Sequence, residues 1–210
     1  MTPGAVFERV YAKLKDQLRE GRFRPGERLE PAALASDLLS SVTPVRDALH
    51  RLVGERLVDA PRQNGFRAPL LTELGLRQLY AWHAELLTIA AARAALPLPP
   101  DPDPSGAPVD EAGDATRLFL ALGEATRQVE MIHAVRAATD RLMPFRLREE
   151  EVLGPCNAET EALRAAAEAA DRARLRRSLG SYHRRRQRAV PELVALMLAG
   201  SPNNRSTPAV

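Results

Sequence analysis

The chain has 210 residues, enough for one large domain or two small ones. With 45% apolar and 27% charged residues, its composition is that of a globular chain rather than a disordered one. A single cysteine, Cys156, excludes an internal disulfide framework and a multi-thiolate zinc site, and no apolar run approaches the roughly 20 residues of a membrane span.

The first twenty residues alternate charge and apolarity, unlike a secretion signal. These features predict a soluble, cytoplasmic protein without membrane contact. The net charge of +3 is unevenly spread. Residues 1–70 carry 12 basic and 9 acidic side chains, residues 71–155 carry 8 and 13, and residues 156–210 carry 10 and 5. A mildly positive front end is compatible with a nucleic-acid partner but does not identify one.

Val6, Val10, Leu14 and Leu18, with Phe7 and Tyr11 beside them, recur at helical spacing. They predict a first helix closed by Gly21, followed by a turn at Pro25-Gly26. A second helix is expected over 31–38, with Pro31 in its first turn and Leu34, Ala35 and Leu38 facing inward. After the link Leu39-Ser40-Ser41-Val42, a third helix is expected to start with Thr43 as cap and Pro44 at the first helical position. Its buried face is Val45, Leu49 and Leu52, which leaves Arg46, Asp47, His50 and Arg51 pointing outward. The segments 57–60 and 66–68 read as a β-hairpin turning at Asn64-Gly65.

Helix, helix, tight link, helix and hairpin are the outline of a winged helix-turn-helix. The third helix is short enough to enter a major groove, and its first turn offers amides and polar side chains to phosphates and base edges. The hairpin tip, with Arg62, Gln63, Asn64 and Arg67, can reach the adjacent backbone or minor groove. Winged helices that dock proteins share this outline, so pattern alone leaves both kinds of partner open.

The run Gly21-Arg22-Phe23-Arg24-Pro25-Gly26-Glu27-Arg28-Leu29-Glu30, then Leu34-Ala35, then Thr43-Pro44-Val45-Arg46-Asp47-Ala48-Leu49 and Arg51-Leu52, resembles the GntR-type bacterial transcription regulators. Glu55-Arg56-Leu57-Val58 and Gly65-Phe66-Arg67 extend the resemblance through the wing. It implies a double-stranded DNA operator bound by a homodimer. Outline and resemblance together assign to DNA the residues Arg28, Ser41, Thr43, Pro44, Arg46, His50, Arg51, Arg62, Asn64, Gly65 and Arg67. Relatives usually carry a guanine-reading Arg just before the Thr-Pro-Val-Arg segment. Here that position is Val42, which has no hydrogen-bond donor in its side chain. Leu39-Ser40 also stands where Gly-Val is usual. Either the operator differs, or Arg46, His50 and the wing carry more of the reading. For His50 a solvated helix surface is an equal alternative.

Beyond Pro69 the pattern is wholly helical, which makes the fold class mainly α. The expected division is a winged helix-turn-helix over 1–70, a helical effector-binding or dimerisation domain over 71–199, and a disordered tail over 200–210. Thr72 caps a helix to about Leu96, with Leu76, Leu79, Tyr80, His83, Leu86, Leu87 and Ala90 on one side. Residues 97–113, rich in Pro, Asp and Gly, read as an exposed loop. One long helix is expected over 114–142, with Leu118, Leu122, Ala125, Val129, Ile132 and Val135 in step, and Pro144 kinking or ending it. Further helices are expected over 158–179 and onward to Leu198.

Thr72-Glu73-Leu74 through Leu79-Tyr80, and Leu122-Gly123-Glu124-Ala125, make this half similar to the FadR C-terminal (FCD) class of ligand-sensing bundles. That likeness implies dimerisation and a metal or organic-acid effector. Its usual ligands are an Asp and a His four apart on one helix and two later histidines. In the best register those positions hold Ala115, Phe119, Thr160 and His183, so His183 alone matches. A divalent site needs three or four convergent ligands. Neither metal nor cofactor is therefore expected, and a remaining small-organic-effector pocket would lie near His83, Phe119 and His183. Trp82 reads as core or dimer contact. The eight arginines between Arg172 and Arg188 read chiefly as a solvated helix face, and Cys156 as incidental. No nucleophile elbow, phosphate loop or zinc-hydrolase signature appears, so the chain is not expected to be an enzyme. Two functions stand: a repressor released by a small organic effector, and a regulator whose bundle only dimerises or docks a protein.

Overall fold

The computed structural model describes residues 3–61, 65–98 and 111–200. Arg62, Gln63 and Asn64 at the expected wing tip, most of the 97–113 loop and the tail after Gly200 lie outside the described residues. The chain divides into two compact units, Met1–Glu73 with Pro191–Val210, and Leu74–Val190.

In the first unit, α1 (Pro3–Arg19) and α2 (Pro31–Asp37) both pack on α3 (Val42–Gly54). Val10, Leu14 and Leu18 of α1 meet Leu34, Val45, Leu49 and Leu52 in an apolar core. Gly21 takes φ +68 just after α1, the left-handed conformation that a terminating glycine supplies. The sheet differs from expectation. Strand β1 (Arg28–Leu29), which the sequence pattern did not separate from the preceding turn, pairs antiparallel with β2 (Phe66–Arg67). The 57–60 segment contributes an isolated bridge, Asp59 to Arg67, instead of a full hairpin arm. Leu29 and Phe66 face each other in this register and both enter the core, and that burial selects the pairing. The start of α3 also moves. Ser41, extended at φ −83 and ψ 163, is the cap, and Val42, Thr43 and Pro44 form the first turn. Proline is tolerated throughout a first turn, where backbone amides have no intrahelical acceptor, so Pro44 did not fix the boundary.

The second unit is helical: α4 (Glu73–Arg93), α5 (Glu111–Glu124), α6 (Val129–Arg146), α7 (Glu149–Leu153), α8 (Asn157–Glu168) and α9 (Arg172–Arg188). The final helix, α10 (Val190–Ala199), falls mostly in the first unit. All seven residues expected on the inner side of α4 are buried. The single helix expected over 114–142 is instead a helical hairpin. Arg127 adopts φ +56, the Thr126 hydroxyl donates to the Gly123 carbonyl (2.7 Å), and the Gln128 amide donates to Thr126 Oγ1 (3.2 Å). Gly123 lets the two arms close, since a Cβ there would lie 3.2 Å from Val135. Val129, expected inside, is exposed at the new helix start.

Pro144 does not end α6, which runs on to Arg146. The last turn is held from outside, because Arg146 donates to Thr116 Oγ1 (3.4 Å) and lies over the Phe119 ring. The expected 158–179 helix is likewise two helices. Ala170 takes φ +54, and Asp171 caps α9 by accepting from the Arg174 amide (2.9 Å). The arginine-rich α9 is not simply a solvated face. Arg186 is 1% exposed, and Arg172 donates to the carbonyls of Ala91 and Ala94 at the end of α4. Trp82 is 48% exposed and is no core residue.

Candidate nucleic-acid interface and polar core

The outer face of α3 carries exposed Ser41, Val42, Thr43, Arg46, Asp47 and His50, while Pro44 is half-buried. Ser41 makes no side-chain capping bond, so its hydroxyl and the first helical amides are open to an incoming acceptor. Among the described residues no hydrogen bond or ion pair engages Arg46. His50 stands edge-on to Phe66 of β2 with ring centroids 4.9 Å apart, which ties the helix face to the base of the wing. Arg67 exchanges both backbone hydrogen bonds with Asp59 at 2.8 Å, leaving its half-buried side chain at that base. Gly65 holds φ +67 just ahead of it. Two expected contacts are otherwise occupied. Arg51 lies 4.0 Å over the Tyr11 ring and pairs with Glu8 (3.3 Å) and Glu55 (3.7 Å), and Arg28 pairs with Glu30. Tyr11 itself is shifted upward, first by burial and then by its hydrogen bond to Glu55.

The second unit has a polar centre. The expected trio of His83, Phe119 and His183 does converge. The His83 ring stands 5.1 Å from both Phe119 and His183. The hydrogen bonds fix the tautomers. His183 Nδ1 donates to the Leu179 carbonyl (2.8 Å), so in the neutral ring Nε2 is an acceptor. His83 Nδ1 therefore donates to it (2.9 Å), and His83 Nε2 accepts from the Thr139 hydroxyl (3.2 Å) and from Arg146 (3.4 Å). Burial first, then the nearby Arg146 charge, hold His83 well below its ordinary range. Burial likewise pulls His183 down to about 3, so both rings are neutral near pH 7.

Beside the histidines, Glu149 joins three elements. The Tyr80 hydroxyl donates to its Oε1 (2.8 Å) and Arg186 Nε donates to its Oε2 (2.7 Å). Arg186 also donates to Glu159 (2.8 Å) and sits 3.3 Å over the Tyr182 ring. A cavity of about 60 Å³ opens against this network, lined by Ala115, Arg146, Glu149, Cys156, Thr160 and Tyr182 among others. It has room for a few waters or a small anion, far below the 300–1,000 Å³ typical of larger organic ligands. His83, Phe119 and His183 are packed behind it rather than lining it. Burial pushes the Cys156 thiol up, away from reactive thiolate character. Among the described residues no three His, Cys, Asp or Glu side chains converge on a metal position.

Residues 7–67 match the family described as bacterial regulatory proteins, gntR family. That segment is similar to gntR-family regulators. The HTH-type transcriptional repressor GlaR of Escherichia coli is 36% identical over 87 residues, 40% of either chain. The HTH-type transcriptional regulator McbR of the same organism is 39% identical over 84 residues, 38% of this chain and 37% of that one. The aligned part thus spans about two-fifths of these curated relatives, which are named regulators and not enzymes. The solved structure of E. coli McbR/YncC superposes with a TM-score of 0.68 at 22% identity, covering 91% of this chain and 99% of that one. At that identity the likeness carries the fold alone.

In the first unit, the sequence pattern located the exposed side of α3 but could not see that Arg51 turns back onto α1. In the second unit it missed Arg146 and Arg186. A signal existed for both. Leu175, Leu179, Tyr182 and Arg186 share one helical stripe, as do Val135, Thr139, Leu142 and Arg146. An arginine in register with an apolar stripe is buried when a partner neutralises or solvates it.

Proposed function

We propose that this chain is a GntR-type transcriptional repressor that binds a palindromic DNA operator as a homodimer in the cytoplasm. The observation that carries the reading is the outer face of α3 in the gntR-like segment, with unpaired Arg46, exposed His50 and open first-turn amides. Ser41, Thr43 and the Pro44 turn would meet phosphates and base edges. Gly65, Arg67 and, outside the described residues, Arg62 and Asn64 would place the wing on the adjacent backbone. Arg28 and Arg51 would reach DNA only by leaving their carboxylates. One winged helix covers few base pairs, so two heads are needed for useful specificity. Leu74, Trp82 and Ile89 are exposed within an arc of roughly 80° on α4, at 100° per residue, and this apolar stripe suits a second copy of the chain.

The helical unit, residues 71–199 in outline, would act as an FCD-like sensing and dimerisation domain without a metal, its effector held beside His83, Phe119 and His183. A second reading, in which the bundle only dimerises, is favoured by the small cavity and tightly packed centre. Selection of bound fragments from the host genome, followed by sedimentation of protein and complex, tests the proposal. A dimer that shifts fragments sharing an inverted repeat is expected. A monomer that leaves every fragment unshifted overturns it. Val42→Arg should then move the preferred sequence toward a guanine at the contacted position.

A further inference from the structure

We infer that Val42 is a specificity-determining residue that packs on the 5-methyl group of a thymine in the major groove, so that each operator half-site holds an A·T pair at that position. This rests on the reading of the chain as an operator-binding repressor and names part of the sequence it selects.

Among the described residues, the exposed side chains of α3 are Val42, Thr43, Arg46, Asp47, His50 and Arg51. Val42 is the hydrocarbon among them, 38% exposed in the first turn. It belongs neither to the apolar core of the first unit nor to the partly buried side chains packed against that core. Internal packing therefore does not account for it. Its row on the helix is more informative. Val42, Arg46 and His50 follow at steps of four residues, each about 40° round from the last and about 6 Å further along the axis. A helix that brings Arg46 to a base edge thus brings Val42 to the bases one turn nearer its N-terminus. At roughly 3.4 Å per base pair, that is about one to three pairs away.

The apolar feature of the major-groove edges is the C5-methyl group of thymine. Against a guanine, cytosine or adenine edge, Val42 strips water from polar atoms and returns no hydrogen bond. Against a thymine methyl it buries hydrocarbon on both sides, so attraction and penalty select the same base. The valine is also prepared for the contact. A β-branched side chain on a helix keeps essentially one χ1 rotamer, so its methyls lose little freedom on binding. Ser41 and Thr43 on either side carry hydroxyls, which suit phosphate oxygens and leave the base contact to Val42.

Fluorescence anisotropy of the full chain on a selected operator, at fixed salt, tests the contact. Each thymine is replaced in turn by deoxyuridine, which removes the methyl group and nothing else. One thymine in each half-site should lose about three- to tenfold in affinity, the range expected for a single buried methyl contact. Val42→Ala, at an exposed helical position that alanine suits, should keep its Tm and bind the thymine operator more weakly by a similar factor. It should bind the thymine and deoxyuridine operators almost equally, which assigns the methyl to this side chain. Cytosine in place of that thymine should bind weakly, and 5-methylcytosine should recover part of the loss. A deoxyuridine penalty that persists in Val42→Ala, half-sites with no methyl-dependent thymine, or equal binding of cytosine and 5-methylcytosine overturns the inference. Operator binding without methyl dependence removes this inference alone. A chain that shifts no genomic fragment removes the repressor reading and the inference with it.

Discussion

The two units solve opposite problems with similar helices. Among the described residues, the N-terminal unit buries an apolar core and keeps its charges outside, where Lys15, Arg51 and Glu55 form a partly exposed cluster on Tyr11. The buried polar residues among those described, from His83 to Arg186, all belong to the helical unit. A surface that must meet a polyanion needs charges in solvent on a rigid support. Charges inside a bundle are strong only if each is satisfied.

The largest test of that contrast removes one buried ion against one surface ion. Arg186→Met leaves Glu149 buried against Tyr80 and should cost about 3–5 kcal/mol in urea unfolding. The double variant Arg186→Met with Glu149→Met should recover part of that loss, because the stranded charge goes too. Glu55→Gln, which breaks the half-exposed pair with Lys15, should cost no more than about 1 kcal/mol. Comparable losses in the two units would erase the distinction.

The next effect belongs to the first unit's exterior. Arg46→Ala should weaken operator binding by about 1–3 kcal/mol if the side chain makes a bidentate base contact, and leave Tm unchanged. Arg51→Ala should do the reverse, lowering stability through the lost Tyr11 and Glu8 contacts with little change in affinity. Fluorescence anisotropy on a selected operator, paired with thermal unfolding, separates the two roles.

Acid should expose the difference between the units in a third way. In the unfolded chain His183 titrates near the usual 6.5, but in the fold it is held down to about 3. Below pH 6.5 the unfolded state binds a proton that the folded state refuses. The stability from neutral burial is therefore complete above that pH and is lost as pH falls toward 3, at about 1.4 kcal/mol per pH unit. His83, shifted the same way, steepens the slope. Urea unfolding between pH 6.5 and 5 should show this decline, and His183→Gln should flatten it. An unaltered slope in that variant would mean that the ring is already protonated in the fold.

How far the sequence could be read follows the same divide. The first unit obeys a binary pattern, so three helices and their inner faces were visible, and the solvent-exposed side of α3 followed from them. Its misread parts were local: β1 is two residues long, and the Pro44 signal fits any first-turn position. In the second unit the pattern ran continuously through the turn at Arg127, because Ala125, Val129 and Ile132 happen to stay in phase. The stop was written in a polar side chain, Thr126, and in the close approach at Gly123. His83, Phe119 and His183 were found as single residues. Arg146, Glu149 and Arg186 were not, because a buried charge is legible only with its partner, and these partners come from different helices.

The smallest predicted effect asks whether the contrast extends to the backbone, and the expectation is that it does not. Leu39 is 88% exposed at φ +49, with the Ser40 amide donating to the Ala35 carbonyl (2.9 Å) across it. Ala170 repeats the arrangement at φ +54, with the Asp171 amide donating to the Ala166 carbonyl (2.9 Å). This helix ending is usually made by glycine. A side chain there costs about 1–2 kcal/mol, whereas glycine adds about 0.5–1 kcal/mol of unfolded-state entropy. Leu39→Gly and Ala170→Gly should therefore each stabilise the chain, by roughly 0.5–1 kcal/mol, with additive gains because the sites share no partner. Leu39 adds one discriminating readout, since it precedes α3 and its side chain is open to solvent. A variant that gains stability and keeps operator affinity marks Leu39 as a strained cap and nothing more. One that gains stability but loses affinity assigns the side chain an apolar contact with DNA, close to Val42, whose side chain likewise offers no polar atom.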